Sequence, residues 1–198
     1  MNIPTHGKYE WMPILYDFVV TVEPKKIIEF GPGAGYTTVT MAKALDENNI
    51  DGHIKSYDIW DDRYWGKRVV TQAEYDAWSV SNYITLDHLD FYEWIKNGCD
   101  DFDFLYFDIN NTSEKLEILY DAVKTQIDNG SVVFFEGGSK ERDSYGHNSI
   151  NGNIYSYGHN GVGMYDIKDK LGYKILTGNV KYSASAIYNA DMYDLDFS

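Results

Sequence analysis

Apolar residues recur at helical spacing from Tyr9 to Val22, with Trp11, Leu15, Phe18, Val19 and Val22 on one side, and Pro24 closes the run. Ile27 to Phe30 is a short apolar segment of strand length, and Thr37 to Leu45 returns to a helical pattern. His53 to Tyr57 reads as a second strand ending at Asp58. Asp61 to Asn82 is mixed, with a helix expected about Thr71 to Val80. Tyr83 to Leu86 is a third strand, and Asp90 to Lys96 a short helix. Phe102 to Phe107 is nearly continuously apolar, as a strand covered on both faces should be. Glu114 to Ile127 is a helix with Leu116, Leu119, Tyr120 and Val123 as its buried stripe; Asn129-Gly130 ends it, and Ser131 to Phe135 is the fifth strand. Tyr173 to Leu176 and Ser183 to Tyr188 complete the series, joined by a turn near Gly178-Asn179.

Strands alternating with helices imply an α/β fold: a mainly parallel sheet with helices on both faces. The last two strands follow one another without a helix, so they should pair antiparallel as a C-terminal hairpin. With 198 residues, no repeat and no linker, residues 1–198 are expected to form a single domain. One segment breaks the rhythm. Gly137 to Gly163 is rich in Gly, Asn, Ser and Tyr and nearly free of aliphatic residues. A loop of that length after the fifth strand sits at the sheet's carboxyl edge, where open α/β folds bind ligands, so it reads as a lid or substrate loop.

Composition narrows the partners. With 17 Lys and Arg against 31 Asp and Glu, the net charge is −14. That balance repels phosphate backbones and anionic membranes, so no nucleic acid and no membrane partner is expected. The single Cys99 excludes an internal disulfide. Neither a signal segment nor a membrane-length apolar run appears, which makes the cytoplasm the expected compartment. Oligomeric state is not readable.

The chemistry starts at Lys26-Ile27-Ile28-Glu29-Phe30-Gly31-Pro32-Gly33-Ala34-Gly35-Tyr36-Thr37-Thr38. A strand runs into three alternating glycines and then a helix. Glycine lets a ligand lie against bare backbone, and the helix N-terminus offers free N–H groups to an anion. The dinucleotide fingerprint needs its third glycine one place later, where Tyr36 stands. The pattern instead resembles motif I of the class I S-adenosylmethionine (SAM) dependent methyltransferases. That resemblance implies their Rossmann-like fold and a SAM site formed by Glu29, Gly31, Gly33 and Gly35. It assigns Asp58, ending the second strand, to the ribose hydroxyls, Ile59 (with Trp60 as a further candidate) to the adenine face, and Asp90 to the adenine amino group, with Asp87 as competitor. Asp90 is also a helix N-cap candidate, with Glu93 completing a capping box.

A narrower resemblance covers most of Ile27 to Gly138. Asp58-Ile59-Trp60-Asp61-Asp62-Arg63-Tyr64-Trp65-Gly66, Phe102-Asp103-Phe104-Leu105-Tyr106-Phe107-Asp108 and Gly130-Ser131-Val132-Val133-Phe134-Phe135-Glu136-Gly137-Gly138 are similar to the catechol and caffeoyl-CoA type O-methyltransferases. In that family an acid ending strand four and an acid-Asn pair after strand five hold one divalent cation that gathers substrate hydroxyls, and a lysine acts as base. Asp108 and Glu136 match the acids, whereas Gly137 stands at the Asn position and Asn111 at the lysine position. Two hard carboxylates with water and a substrate oxygen still suit a divalent cation. With the lysine and one ligand missing, Asp108 is assigned to the sulfonium end of SAM or to the substrate ahead of a metal. With the lysine replaced, the base candidates are Lys140, Asp143, His147 and His159; His6 is a weaker one.

The expected function is SAM-dependent methylation of a small-molecule acceptor, most simply at a hydroxyl. Methyl transfer is an in-line displacement that rests largely on positioning and exclusion of water, so a recognisable base is not obligatory. The rival readings are another SAM-handling enzyme on the same fold, an aminopropyl transferase or SAM-cleaving enzyme, and a catalytically silent SAM-binding module.

Overall fold

Residues 26–30 alternate no polar positions to solvent: Ile27, Ile28, Glu29 and Phe30 are all buried, and a strand covered on both faces is what that run dictates. The structure, a computed structural model, describes residues 11–59, 70–109, 111–144, 147–148, 154–155, 162–177 and 183–193. It separates into two compact units, Met1–Tyr106 and Phe107–Ser198.

The first unit is a parallel α/β layer. It contains α1 (Met12–Val22), β1 (Lys26–Phe30), α2 (Tyr36–Glu47), β2 (His53–Asp58), α3 (Gln72–Ala77), β3 (Ile84–His88), α4 (Phe91–Lys96) and β4 (Phe104–Phe107) up to Tyr106, Phe107 belonging to the second unit. The strands lie in the order β3-β2-β1-β4. β1 pairs β2 in parallel from Lys26↔His53 to Phe30↔Tyr57, and β2 pairs β3 in parallel from Ile54↔Ile84 to Asp58↔His88. Parallel register aligns the strand ends, so the glycine turn, Asp58 and the β3–α4 connection share one edge. α1 has a proline in its first turn and ends at Glu23 with φ 48°, before Pro24. Its buried side carries Trp11, Met12, Leu15, Phe18 and Val19, while Val22 is only half-buried. The mixed stretch resolves at Thr71, whose side chain and that of Glu74 form a capping box that starts α3.

The second unit contains α5 (Ser113–Asp128), β5 (Val132–Glu136), α6 (Lys140–Ser144), β6 (His147–Asn148), β7 (Ile154–Tyr155), α7 (Lys168–Leu171), β8 (Lys174–Ile175) and β9 (Ala184–Ile187). Thr112 caps α5, and its buried stripe is Leu116, Leu119, Val123 and Ile127; Tyr120 is half-buried instead. All five residues of β5 are buried. β9 pairs antiparallel with both β5 and β8, the C-terminal antiparallel arrangement that the missing helix implies. The chain is thus α/β, with parallel strands followed by an antiparallel C-terminal set.

The segment from Gly137 to Gly163, expected as a lid or substrate loop, holds more structure than its composition suggests. Gly137, Gly138 and Ser139 are buried, α6 follows, and β6 pairs antiparallel with β7 through His147↔Tyr155 and Asn148↔Ile154. The reason is local: Tyr173 Oη donates to Gly138 O at 2.7 Å and Ser185 Oγ to Gly137 O at 2.8 Å, so the start of the segment is fastened to the antiparallel strands. The expected Gly178-Asn179 turn lies outside the described residues. Among the described residues no helix is long and apolar enough to cross a membrane.

Candidate active site

Of the three glycines of the turn in the first unit, Gly33 and Gly35 differ in their surroundings. All have left-handed backbones, with φ 82° at Gly31, 51° at Gly33 and 82° at Gly35. At Gly33 no described atom lies within 4 Å of the position a Cβ would take. At Gly35 a Cβ would meet Val70 at 3.0 Å and Tyr75 and Trp78 at 3.2 Å. Gly35 therefore serves packing against the α3 segment, which Val70 N also ties to Gly33 O at 2.8 Å.

Glu29 lies directly behind this turn, fully buried. Thr37 Oγ1 donates to its Oε1 at 2.6 Å, and Thr38 Oγ1 and Ser56 Oγ donate to its Oε2 at 2.7 and 2.6 Å. Tyr75 Oη continues the chain of hydroxyls to Thr38 Oγ1 at 2.8 Å. One carboxylate thereby fastens β1, β2, the first turn of α2 and, through Tyr75, α3. Burial pushes its pKa up despite the three hydroxyl donors, and the nearby Asp58 adds to that rise. The glutamate holds the turn in place with its oxygens already engaged.

Asp58 is half-buried at the end of β2, and Ile59 beside it is 41% exposed, an apolar face left at the strand edge. Leu89 N donates to Asp58 O at 3.3 Å, which brings the ends of β2 and β3 together. Asp90 caps α4: its Oδ1 accepts from Tyr92 N at 2.8 Å and Glu93 N at 3.3 Å. Its competitor Asp87 is exposed. Trp60 and His6 lie outside the described residues.

In the second unit Asp108 and Glu136 are brought together, close enough for each carboxyl to influence the other. Arg142 Nη2 donates to Glu136 Oε1 at 2.8 Å, with the two side chains 9% and 8% exposed. Burial holds the Glu136 carboxyl above the usual range, against the pull of Arg142 and Asp108. Ser139 Oγ accepts from Arg142 N at 3.1 Å and so caps the turn of α6 that carries the arginine.

Asn111, at the position of the family's lysine, is a staple. Its Nδ2 donates to Phe107 O at 3.0 Å and Glu136 O at 2.8 Å, and its Oδ1 accepts from Ile109 N at 3.2 Å. Asp143 is half-buried, its pKa raised by that burial, and its Oδ2 accepts from Tyr165 N at 2.7 Å. Lys140 is exposed at the start of α6, and His147 lies in β6. His159 lies outside the described residues.

The divalent cation implied by the resemblance does not fit this donor set. Arg142 already occupies Glu136, and at Gly137 (φ 106°) a Cβ would meet Met164 Cε and Sδ at 3.3 Å, leaving no easy place for an asparagine. Among the described residues no three His, Cys, Asp or Glu side chains gather as metal ligands. Arg142 went unnoticed in the sequence, although two acids ending buried strands were a signal that a cation must sit nearby. The hydroxyl ring around Glu29 gave no signal, because its members come from three separate elements.

A family model described as a methyltransferase domain matches residues 28–136, more than half of the 198 residues, and the chain belongs to that family. The match runs from β1 to the last residue of β5. Among solved structures, the O-methyltransferase from Bacillus cereus in complex with S-adenosylhomocysteine (SAH) is 13% identical, with a TM-score of 0.64 over 95% of this chain and 85% of that one. TomG of Streptomyces achromogenes, an O-methyltransferase involved in tomaymycin synthesis and solved with SAM, is 14% identical, with a TM-score of 0.61 over 93% and 82%. The SAH-bound methyltransferase PaMTH1 of Podospora anserina is 12% identical, with a TM-score of 0.60 over 92% and 79%. At these identities the likeness is one of fold. No curated protein matches the sequence.

Proposed function

We propose that this protein is a SAM-dependent methyltransferase that methylates a hydroxyl of a small molecule. The observation that carries the reading is the left-handed turn at Gly33, held by the buried Glu29 at the N-terminus of α2. Backbone there, with helix N–H groups behind it, suits the amino-acid end of SAM. Asp58 is assigned the ribose hydroxyls, Ile59 the adenine face, and the free oxygen of the capping Asp90 the adenine amino group. SAM supplies an activated methyl group when bound. The chain's own residues have to hold the acceptor in line and keep water out, which is where we assign Asp108 and the residues around it.

The O-methyltransferases among the structural relatives support a hydroxyl acceptor. The net charge of −14 supports a small molecule rather than a nucleic acid. Titration with SAM and SAH by calorimetry, followed by incubation of SAM with hydroxylated acceptors, tests the reading. SAH as product is expected. Methylthioadenosine as product would assign a different SAM chemistry, and binding of NAD in place of SAM would overturn the site.

A further inference from the structure

We infer that Arg142 is the resident cation of the Asp108–Glu136 acid pair, so that the acceptor chemistry of this chain runs with a guanidinium where the O-methyltransferases it resembles hold a divalent ion. The inference rests on the methyltransferase reading for its function, but its core, a cation site filled by the chain itself, can be tested without turnover.

Three independent features place the arginine there. First, the contact is made inside the protein. Nη2 to Oε1 is 2.8 Å, and neither side chain is more than 9% exposed. A hydrated divalent ion would have to displace a buried guanidinium from its carboxylate and strand that charge, the costly way to break a buried pair. Second, the arginine is held from both sides of its own helical turn. Ser139 Oγ receives its backbone N–H, and the next residue, Asp143, receives Tyr165 N at 2.7 Å. Gly163 fits against Asp143 so closely that a Cβ there would come within 2.3 Å of Oδ2. The backbone of α6, from which Arg142 reaches Glu136, is thus pinned. Third, the other two members of the metal-and-base set are gone, and their places serve the backbone. Gly137 has no donor side chain, and Asn111 spends its amide on Phe107 O, Glu136 O and Ile109 N.

A guanidinium differs from a metal ion in what it allows. It keeps its charge at every physiological pH and offers a planar fork of N–H donors, but no vacant coordination positions. Arg142 thereby acts as a positioning residue: it keeps Glu136 and, through it, Asp108 in fixed orientation.

The test uses the full chain with SAH present. Mn²⁺ is titrated and bound ion is read by electron paramagnetic resonance; in parallel, turnover is measured after EDTA treatment and after adding Mg²⁺. The expected result is no stoichiometric Mn²⁺ and turnover unchanged by either treatment. Arg142→Ala should lower turnover by about 10- to 100-fold, the usual effect of losing a group that orients active-site ligands. Its SAH affinity should stay within about twofold, because the first unit's residues are untouched. Arg142→Lys keeps the charge and should recover part of the loss, and it serves as the second variant if the alanine does not fold. Stoichiometric Mn²⁺ in the wild type that disappears in Glu136→Gln would overturn the inference, as would activity lost to EDTA and restored by Mg²⁺. Failure to bind SAH at all, with the metal result as expected, would count against the methyltransferase reading and leave the resident cation standing.

Discussion

Each unit buries a glutamate near the carboxyl end of a strand, and the two are satisfied by different means. Among the described residues Glu29 has three hydroxyl donors and no cation as hydrogen-bond partners; Glu136 has a buried arginine and a neighbouring acid. Both carboxyls are pushed up by burial, so desolvation outweighs the partners in each. The difference lies in what the partners tie together. Hydroxyls are short, neutral and adjustable, and Glu29 uses them to join neighbouring elements around a turn whose shape has to suit a ligand. Arginine is long, charged and planar, and it supplies at Glu136 a positive charge that hydroxyls cannot. A buried acid is thus a mechanical tie in one place and half of a charge arrangement in the other.

The sharpest way to break the comparison is to remove the arginine. Arg142→Ala should destabilise the protein by about 3–5 kcal/mol in urea unfolding, because it strands a buried carboxylate. The double variant Arg142→Met/Glu136→Leu should recover most of that. A loss below about 1 kcal/mol, the level of an exposed ion pair, would mean the pair does not stand as a buried charge arrangement.

Glu29 should answer to pH in place of charge removal. The unfolded chain releases this proton near the ordinary value of 4.5, and the folded protein holds it to higher pH. Between the two values the folded state binds more protons, so the contribution of Glu29 to stability is full below the ordinary value and is lost as pH rises through the folded one. Urea midpoints of the wild type should therefore fall relative to those of Glu29→Gln as pH is raised from 4.5 toward neutrality. Parallel curves for the two proteins would show that burial does not dominate at this site.

The smallest effects separate ligand from scaffold within the first unit. Asp58→Ala should weaken SAH binding by about 1–3 kcal/mol, the cost of lost hydrogen bonds to a charged group, with little change in unfolding. Asp90→Ala should weaken SAH binding less than Asp58→Ala does, and should also lose about 1 kcal/mol of stability with its helix cap. Calorimetry beside thermal unfolding distinguishes the two, and an SAH affinity unchanged in Asp90→Ala would leave Asp90 a cap only.

The strand-turn-helix around Gly31 to Gly35 was legible because each signal is local: an apolar strand, glycines at φ-positive positions and a helical pattern directly after. Asp108 and Glu136 were legible as strand-end acids for the same reason. Arg142 was not, since it follows Glu136 by six residues in a stretch whose Gly and Asn content reads as loop. The packing task of Gly35 depends on Val70, Tyr75 and Trp78, some 35 to 43 positions away, and no periodicity reports such a contact. β6 and β7 have two residues each, too few for alternation to register.

Asn111 bears on how this site could change over generations. A lysine in its place would restore the base of the resembling enzymes in a single step, but it would also remove an amide that joins the ends of β4 and β5 through Phe107 O and Glu136 O. The carbonyl of Glu136 would lose its donor beside the same residue that Arg142 holds. A lysine at 111 alone would therefore cost the backbone its staple, and conversion to the chemistry of the resembling enzymes would need base, staple and cation exchanged together.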